Sequence, residues 1–326
     1  MKKHFLIAVM TILHFGLSPA VAGAATIALP IRINTAPFFV ASEYALFAKV
    51  GVQVTTVPVN LGKDALGALI DGKADLAVMA ETPIALALLG GQSLSIISQI
   101  YNGRRTVAIV TRNDRGIERL QDLKGKTAGV TAGTNHAFFL SAMLNIHGLA
   151  AQSVKTVNLR PEDVISEFRK GQLDAAVVFE PYLTGLMSEL GGTVKAHYGE
   201  DVYAFRYVLV GNPSYVEAHS REIRSILSAL NEANRLIRAD PRAARIVVGK
   251  AIKENDATMQ KLFNPSEYSL SLDHSLLLTL DDQARWAMSE GVVKTGPMPN
   301  FLNFIRHQHL ESVLPNAVRL IRQGTR

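Results

Sequence analysis

The sequence predicts an α/β protein made of two similar half-molecules, followed by a helical segment. Short, apolar, β-branched segments alternate with segments of helical period between residues 26 and 211, which indicates right-handed βαβ units in a doubly wound sheet. A phrase of some thirty residues occurs twice in this region, so we expect two such sheets.

The predicted strands have the apolar, β-branched composition of buried parallel strands. They are TIALPIRI (26–33), VQVTTVPV (52–59), DLAVMA (75–80), LSIISQ (94–99), TVAIVT (106–111), TAGVTA (127–132), VKTVNL (154–159), AAVVFE (175–180) and FRYVLVG (205–211). Predicted helices between them include residues 37–50, 136–149 and 161–171.

The repeated phrase reads GKADLAVMAETP at residues 72–83 and GQLDAAVVFEP at residues 171–181. The pairs that lie 99 positions apart are Gly72 and Gly171, Asp75 and Asp174, and Glu81 and Glu180. Upstream, Asn60, Leu61 and Asp64 match Asn158, Leu159 and Asp163, and each copy ends in a double glycine, Gly90-Gly91 and Gly191-Gly192. The alternative is chance, since helix, glycine, aspartate and apolar strand follow one another in many α/β proteins.

After Pro213 the pattern changes to long amphipathic helices at residues 221–252, 275–293 and 301–314, with no further predicted strand. This tail cannot form a third sheet, so we expect it to pack on one half-molecule. Trp286 lies within the middle helix, where we predict that it is buried.

Composition excludes several functional classes. With 326 residues, 48% hydrophobic and 19% charged, the chain is long enough for two domains with their own cores. The net charge of +6 comes without a basic run, so nucleic acid is not an expected partner. The absence of cysteine excludes disulfides, thiolate metal sites, cysteine nucleophiles and a lipid-modified cysteine.

The first 24 residues have the pattern of a cleavable signal peptide. Lys2 and Lys3 precede an apolar stretch from Phe5 to Leu17, and Ala20-Val21-Ala22 offers a small-residue cleavage site. The alternative is an uncleaved anchor, which needs a longer apolar segment. An exported protein without a lipid anchor is therefore expected, in the periplasm of a bacterium with two membranes.

The chain resembles the extracytoplasmic solute-binding proteins of ABC importers, in the nitrate, sulfonate and taurine group (NMT1/THI5-like, type II periplasmic binding proteins). The segments that carry the resemblance are residues 36–54, DGKADLAV, residues 119–140, residues 159–183 and WAMSEGVVKTGPMPNFLNFI. It implies two α/β lobes joined by two crossing segments near residues 99–111 and 203–210, with the C-terminal helices on lobe one. Lobe one would comprise residues 25–103 and 208–326, and lobe two residues 104–207.

Four loops follow predicted strands and precede helices, where ligands bind in open α/β sheets. They are residues 34–37, 81–83, 133–136 and 180–182. Helix beginnings expose N–H groups that suit oxyanions, and hydroxyls add donors. The expected ligand-binding residues are Asn34, Thr35, Ala36, Phe38, Glu81, Thr82, Tyr101, Arg104, Gly133, Thr134, Asn135, His136, Glu180, Tyr182 and Arg206.

Each of these residues has a structural alternative. Thr134 and Asn135 would also suit helix capping, His136 would suit a solvated helix turn, and the arginines would suit exposed ion pairs. Glu81 and Glu180 can stabilise helix N-termini. If both face the cleft, they repel a simple anion and favour a ligand that carries an amine.

The resulting interpretation is a monomeric periplasmic binding protein that delivers a sulfonate, taurine, nitrate or related solute to an inner-membrane permease. No cofactor, metal or catalytic residue is expected. The alternatives are a binder of a thiamine-precursor pyrimidine or aromatic compound, and a fold-related enzyme of pyrimidine synthesis. The enzyme branch is associated with a cysteine-rich motif, which this chain lacks.

Overall fold

A computed structural model describes residues 24–294 and 296–320. The predicted signal peptide lies outside these residues, except for Ala24, which opens the first strand. Among the described residues, no helix combines the length and the apolar character needed to cross a membrane.

The described strands form two sheets. The strands are β1 (Ala24–Pro30), β2 (Gln53–Val59), β3 (Leu76–Ala80), β4 (Ser95–Gly103), β5 (Val107–Arg112), β6 (Thr127–Val130), β7 (Lys155–Asn158), β8 (Ala175–Phe179), β9 (Val194–Tyr198), β10 (Phe205–Gly211), β11 (Tyr268–Asp273) and β12 (Val318–Arg319). The larger sheet has the order β12-β11-β4-β10-β3-β1-β2, and the smaller has the order β7-β6-β8-β5-β9. The predicted two-sheet α/β class is confirmed.

Helices cover both sheets. They are α1 (Ala36–Glu43), α2 (Leu46–Lys49), α3 (Gly62–Ile70), α4 (Glu81–Leu89), α5 (Asn135–Ile146), α6 (Val164–Arg169), α7 (Tyr182–Leu190), α8 (Pro213–Ala218), α9 (Ser220–Ala239), α10 (Pro241–Ile252), α11 (Asp256–Leu262), α12 (His274–Ser289) and α13 (His307–Val313). The helices of the tail lie mainly on the larger sheet, because α9 packs on α1 and α12 packs on α4.

The chain passes from the larger to the smaller sheet between β4 and β5, and returns between β9 and β10. We name the larger sheet with its helices lobe one and the smaller sheet with its helices lobe two. Since β10 begins at Phe205 and lies wholly in the larger sheet, we propose that lobe one resumes at residue 205 rather than 208.

Two expectations about strands were wrong. The sheets are mixed rather than wholly parallel, because the returning strand β10 is antiparallel to β3 and β4, and β5 is antiparallel to β8 and β9. The tail is not purely helical either, since β11 joins the larger sheet antiparallel to β4. In addition, the helix predicted at residues 37–50 is broken at Ala45, whose φ of 51° lies in the left-handed region.

The two lobes are packed together. One hydrophobic cluster runs from lobe one to residues of lobe two such as Ile109 and Phe139, and a smaller cluster around Phe168 covers the other face of the smaller sheet. Trp286 of α12 is partly buried, with its ring 5.7 Å from that of Phe138 in α5. The same end of α12 carries Glu290, which accepts a hydrogen bond from Gln152 of lobe two at 2.7 Å. The tail therefore contacts both lobes.

The repeated phrase forms the same unit in each lobe. Gly72 and Gly171 end α3 and α6 with φ of 69° and 74°, a conformation that glycine adopts without strain. The Asp75 carboxylate accepts a hydrogen bond from the Thr26 amide at 2.8 Å, and that of Asp174 accepts one from the Thr127 amide at 2.9 Å. Each aspartate thus joins the start of its own strand to the neighbouring parallel strand.

Candidate functional site

An inner cavity of about 30 Å³ lies between the lobes, where helices begin. Lobe one contributes side chains around the starts of α3 and α4, and lobe two contributes the loop that leads into α5. The first crossing segment contributes Thr106. The lining residues are Asn34, Leu61, Gly62, Lys63, Ala80, Pro83, Thr106, Thr131, Thr134, Asn135, His136, Phe179, Phe205 and Tyr207.

Two amide side chains in this cavity come from facing lobes and are buried with donors unused. Asn34 is 2% exposed and Asn135 is 5% exposed. The Nδ2 atom of each has no hydrogen-bond partner among the described residues. Because burying an unpaired donor costs free energy, these two side chains are candidates to pair with a ligand in the cavity.

Thr134 has a structural role at the same place. Its Oγ1 accepts a hydrogen bond from the His136 amide at 3.3 Å, which caps α5, and donates one to the Thr131 carbonyl at 2.7 Å. Thr134 therefore orients the loop that carries Asn135, while the cap leaves the Asn135 side chain free to face the cavity.

His136 is buried rather than solvated. It is 3% exposed, its ring lies 4.9 Å from that of Phe179, and its Nδ1 has no partner among the residues described. Burial, with a smaller contribution from the positive charge of Arg32, lowers the pKa of His136 to about 3. The imidazole is therefore neutral near pH 7, so it contributes a polar nitrogen rather than a charge.

An open outer cleft of about 590 Å³ adjoins the inner cavity, and Thr106 lines both. Tyr101, Arg104 and Glu180 lie in this cleft. The Glu180 carboxylate accepts a hydrogen bond from the Thr184 amide at 3.0 Å, near the start of α7. Burial raises the pKa of Glu180, against the opposing effect of the hydrogen bonds from Thr184.

Charges in the outer cleft are largely paired. Arg105 forms an ion pair with Glu200, and its guanidinium lies 4.2 Å from the centre of the Tyr198 ring. Arg104 donates to the Glu200 carbonyl at 2.6 Å. The Tyr101 hydroxyl donates to Glu267, whose pKa is raised by burial.

Glu81 does not line either cavity. It is 0% exposed and accepts a hydrogen bond from the Tyr203 hydroxyl in the second crossing segment. Burial raises the pKa of Glu81, although the charge of Arg206 opposes this. Burial and the neighbouring Glu81 raise the pKa of Tyr203, and the nearby side-chain amide of Asn135 opposes this. The Nδ2 atom of Asn135 is nevertheless not within hydrogen-bond geometry of any partner among the described residues.

Arg206 does not line the inner cavity either, and its side chain is held by hydrogen bonds elsewhere. Its guanidinium donates to the Ala204 carbonyl and to Thr279, both at 2.9 Å, and to Ser275 at 3.2 Å. Thr279 and Ser275 belong to α12, so Arg206 ties the second crossing segment to the C-terminal tail.

The remaining predicted residues are spread around the site. Thr35 donates to the carbonyls of Pro30 and Arg32 within its own loop.

Phe38 is buried in lobe one, 6.3 Å from Phe47, and Tyr182 packs 5.6 Å from Phe179. Ala36 and Thr82 are buried in lobe one outside the lining of the inner cavity, and Gly133 lines a separate groove beside α12.

Sequence reasoning missed several lining residues, among them Lys63, Thr106 and Phe179. Lys63 lies in the first turn of α3, and this helix start was identifiable from the matched Asn60-Leu61 and Asn158-Leu159 pairs. No group of three or more histidine, aspartate or glutamate side chains in the described part of the chain could hold a metal ion.

Comparison with known proteins decides the family. The family described as NMT1/THI5 like matches residues 32–244. The chain belongs to this family. A Brucella abortus protein named only as a candidate binding protein is 24% identical over 270 residues, which cover 80% of this chain and 82% of that protein. The resemblance predicted from the sequence is thus confirmed.

Solved structures share the fold of this family member. The periplasmic aliphatic sulphonate binding protein of Escherichia coli is similar with a TM-score of 0.74 and 19% identity, covering 83% of this chain and 89% of that one. The alkanesulfonate-binding protein of Xanthomonas axonopodis pv. citri, bound to MOPS, gives a TM-score of 0.71 and 18% identity, covering 91% and 98%. The desulfurization enzyme DszB gives 0.69 and 14%, covering 90% and 99%, so the fold also occurs in a catalyst.

Proposed function

We propose that this protein is the periplasmic solute-binding component of an ABC importer and captures a small anionic or zwitterionic solute, with a sulfonate as the favoured class. The observation that carries the proposal is the pair of buried, unpaired amide donors on Asn34 and Asn135, which come from opposite lobes. The sulfonate and taurine binders among the relatives support the ligand class.

The chemistry of the inner cavity suits an oxyanion. Amide N–H groups and the beginning of α5 present partial positive charge, and the neutral imidazole of His136 adds a polar contact. A helix start contributes up to about 2 kcal/mol, and a hydrogen bond to a charged group about 1.5–3 kcal/mol. Micromolar binding needs about 8 kcal/mol, so contacts from both lobes are required together.

Closure of the lobes accompanies binding in this proposal. The inner cavity, at about 30 Å³, is much smaller than the adjoining cleft of about 590 Å³, and its walls come from both lobes. A solute therefore enters the inner cavity while the lobes are apart. Contacts from both lobes then favour the closed arrangement, which the permease recognises. The crossing segments around Thr106 and Tyr203 are the hinges.

A ligand amine would lie in the outer cleft. Glu81 is engaged with Tyr203, so of the two repeated glutamates only Glu180 is available there. An amino-sulfonate would place its sulfonate near Asn34 and Asn135 and its ammonium towards Glu180.

We further propose that the protein binds its solute without chemical change and works as a monomer in the periplasm, exported by its signal peptide and carrying no lipid anchor. His136 is neutral, and its Nδ1 has no hydroxyl or carboxylate partner among the described residues. A general base with a hydrogen-bonded nucleophile is the usual arrangement for acyl or phosphoryl transfer. The absence of cysteine separates the chain from enzymes that use a thiol nucleophile.

Titration calorimetry with ethanesulfonate, taurine, nitrate and a pyrimidine tests the proposal. Asn135→Ala should weaken binding of ethanesulfonate about 10- to 150-fold, the equivalent of one hydrogen bond to a charged group. Asn145→Ala is the matched control, because Asn145 lies at the exposed end of the same helix and should bind as the wild type does. Equal affinities of Asn135→Ala and the wild type, or binding of the pyrimidine alone, would refute the oxyanion site.

A further inference from the structure

Arg32 is a buried cation placed between the lobes. It follows β1 of lobe one and is 8% exposed. Its guanidinium carbon lies 4.9 Å from the ring centre of Phe179 and 5.3 Å from that of Tyr182, both in lobe two. These distances are within the range of cation–π attraction, and a planar guanidinium can stack on both rings.

Lobe one holds the guanidinium in this position through Asn60. Arg32 donates from Nη2 to the Asn60 Oδ1 at 2.7 Å and from Nε to the Asn60 carbonyl at 3.3 Å. Asn60 in turn donates from Nδ2 to Glu162 of lobe two at 3.4 Å. The arginine and the asparagine therefore form one bridge, which is fixed on lobe one and contacts lobe two at two places.

We propose that Arg32 is a positioning residue that latches the lobes in the closed arrangement and supplies a positive charge beside the inner cavity, so that closure and preference for an anionic ligand are coupled. The charge preference rests on the proposed function, whereas the latch does not. In the open arrangement the guanidinium would lose both aromatic rings, so the latch acts only when the lobes meet.

The position of the Arg32 charge fits its proposed role in the preference for an anionic ligand. Phe179 lines the inner cavity and also stacks against the guanidinium of Arg32. Only the Phe179 ring would therefore separate the positive charge from a bound solute. The charge of Arg32 also acts on two other lining residues: it adds to the effect of burial, which lowers the pKa of His136, and it opposes the effect of burial, which raises the pKa of Tyr207 to about 12. Arg32 lies behind the lining, whereas the charged side chain within it is Lys63, and the buried Glu81 hydrogen-bonds to Tyr203 instead.

The latch can be tested without any ligand. Because the chain has no cysteine, Lys73→Cys in lobe one and Lys170→Cys in lobe two provide unique spin-label sites on exposed positions. The distance between the labels reports lobe separation. Arg32→Gln and Tyr182→Leu should each shift the ligand-free distance distribution towards open forms, and Arg32→Lys should give an intermediate shift because it keeps the charge but not the planar stacking. Arg242→Gln, an exposed arginine of lobe one, is the control and should match the wild type.

Two further measurements separate the charge from the latch. Arg32→Gln should raise the His136 pKa, measured by NMR, above about 3 by only part of the shift, because burial is the larger cause and remains, and should weaken ethanesulfonate binding about tenfold or more. Tyr182→Leu should leave the His136 pKa low. Arg32→Lys should recover part of the affinity that Arg32→Gln loses.

The outcomes distinguish this proposal from the proposed function. Ligand-free distance distributions of Arg32→Gln and Tyr182→Leu that are identical to the wild type overturn the latch, even if ethanesulfonate binds. An unchanged His136 pKa in Arg32→Gln overturns the role of the charge. If no anion binds the wild type but the distances shift as expected, the oxyanion function fails and the latch stands.

Discussion

Asp75 in the first copy of the repeated phrase and Asp174 in the second do the same work. Each accepts a hydrogen bond from the amide of the neighbouring strand and donates its own amide to the carbonyl of the same residue, Thr26 or Thr127, at 2.9 Å. Asn60 and Asn158 are also alike, because Asn60 fixes the loop after β1 through Arg32 and Asn158 fixes the loop after β6 through the Ala132 amide.

The glutamates that end the two phrases differ. Glu81 is fully buried and holds the Tyr203 hydroxyl of the second crossing segment. Glu180 lines the outer cleft and accepts the Thr184 amide. The repeated residues with the same role in both copies, such as the aspartates, therefore fix the architecture of each lobe. The chemistry of the cleft depends on repeated positions, such as the glutamates, whose surroundings differ between the two lobes.

The largest expected effect is a loss of stability, and it tests the role that the two aspartates share. Asp75→Ala and Asp174→Ala each leave a strand amide unpaired and should lower the free energy of unfolding by about 1–3 kcal/mol. Urea denaturation measures the loss, and hydrogen exchange should show faster exchange at Thr26 in the first variant and at Thr127 in the second. Asp71→Ala is the control, because Asp71 makes an exposed ion pair with Lys73, and it should change stability by less than about 0.5 kcal/mol. Loss confined to one of the two aspartates would show that the copies are not equivalent.

A second prediction sharpens the difference between the glutamates. Burial raises the pKa of Glu81 in the folded protein above its ordinary value of 4.5, so its contribution to stability is present below pH 4.5 and is lost as the pH rises through the folded pKa. Glu81→Gln should remove this dependence, which for one group is at most about 1.4 kcal/mol per pH unit. Urea denaturation from pH 4 to 8 tests it.

Glu180→Gln should flatten the same stability profile less, because Glu180 is less buried, and should instead weaken binding of taurine relative to ethanesulfonate. If Glu81→Gln changed the preference for taurine and Glu180→Gln did not, our assignment of the two glutamates would be reversed.

The smallest expected effect concerns the two glycines. Gly72→Ala and Gly171→Ala place a side chain in the left-handed region and should each cost about 1 kcal/mol. At Gly171 the new methyl group would also meet the end of Arg115 at 2.8 Å, which a flexible side chain can avoid. Gly67→Ala, in the interior of α3 with open space around it, should stabilise the protein instead by about 0.5–1 kcal/mol. Thermal unfolding of the three variants compares these signs.

Much of the fold could be predicted because its signals are local. The repeat, the alternation of strands and helices and the helix starts at Glu81 and Thr134 all lie within short segments. Strand β11 was missed because YSLSLD lies among amphipathic helices and becomes a strand by pairing with β4, which lies more than 150 residues earlier.

The loops that form the candidate site could be predicted from the sequence, but the residues that pair with one another around it could not. Asn34, Thr134, Asn135 and His136 lie where the expected loops placed them, at the inner cavity. Arg32 gave no signal, since it is a lone arginine inside a predicted strand that in fact ends at Pro30. The partner of Glu81 lies 122 residues away, and only tertiary packing brings the two together.

The position of β10 in the larger sheet has a consequence for how the chain reaches its native state during synthesis. This strand lies between β3 and β4, yet it follows the whole of lobe two along the chain. Residues 24–103 therefore emerge from the ribosome with their sheet in two pieces, while the contiguous lobe two can complete its own hydrogen-bonded ladder first. A nascent chain that stops at residue 204 lacks the strand that joins those pieces, so the first lobe to be made is the last to be finished.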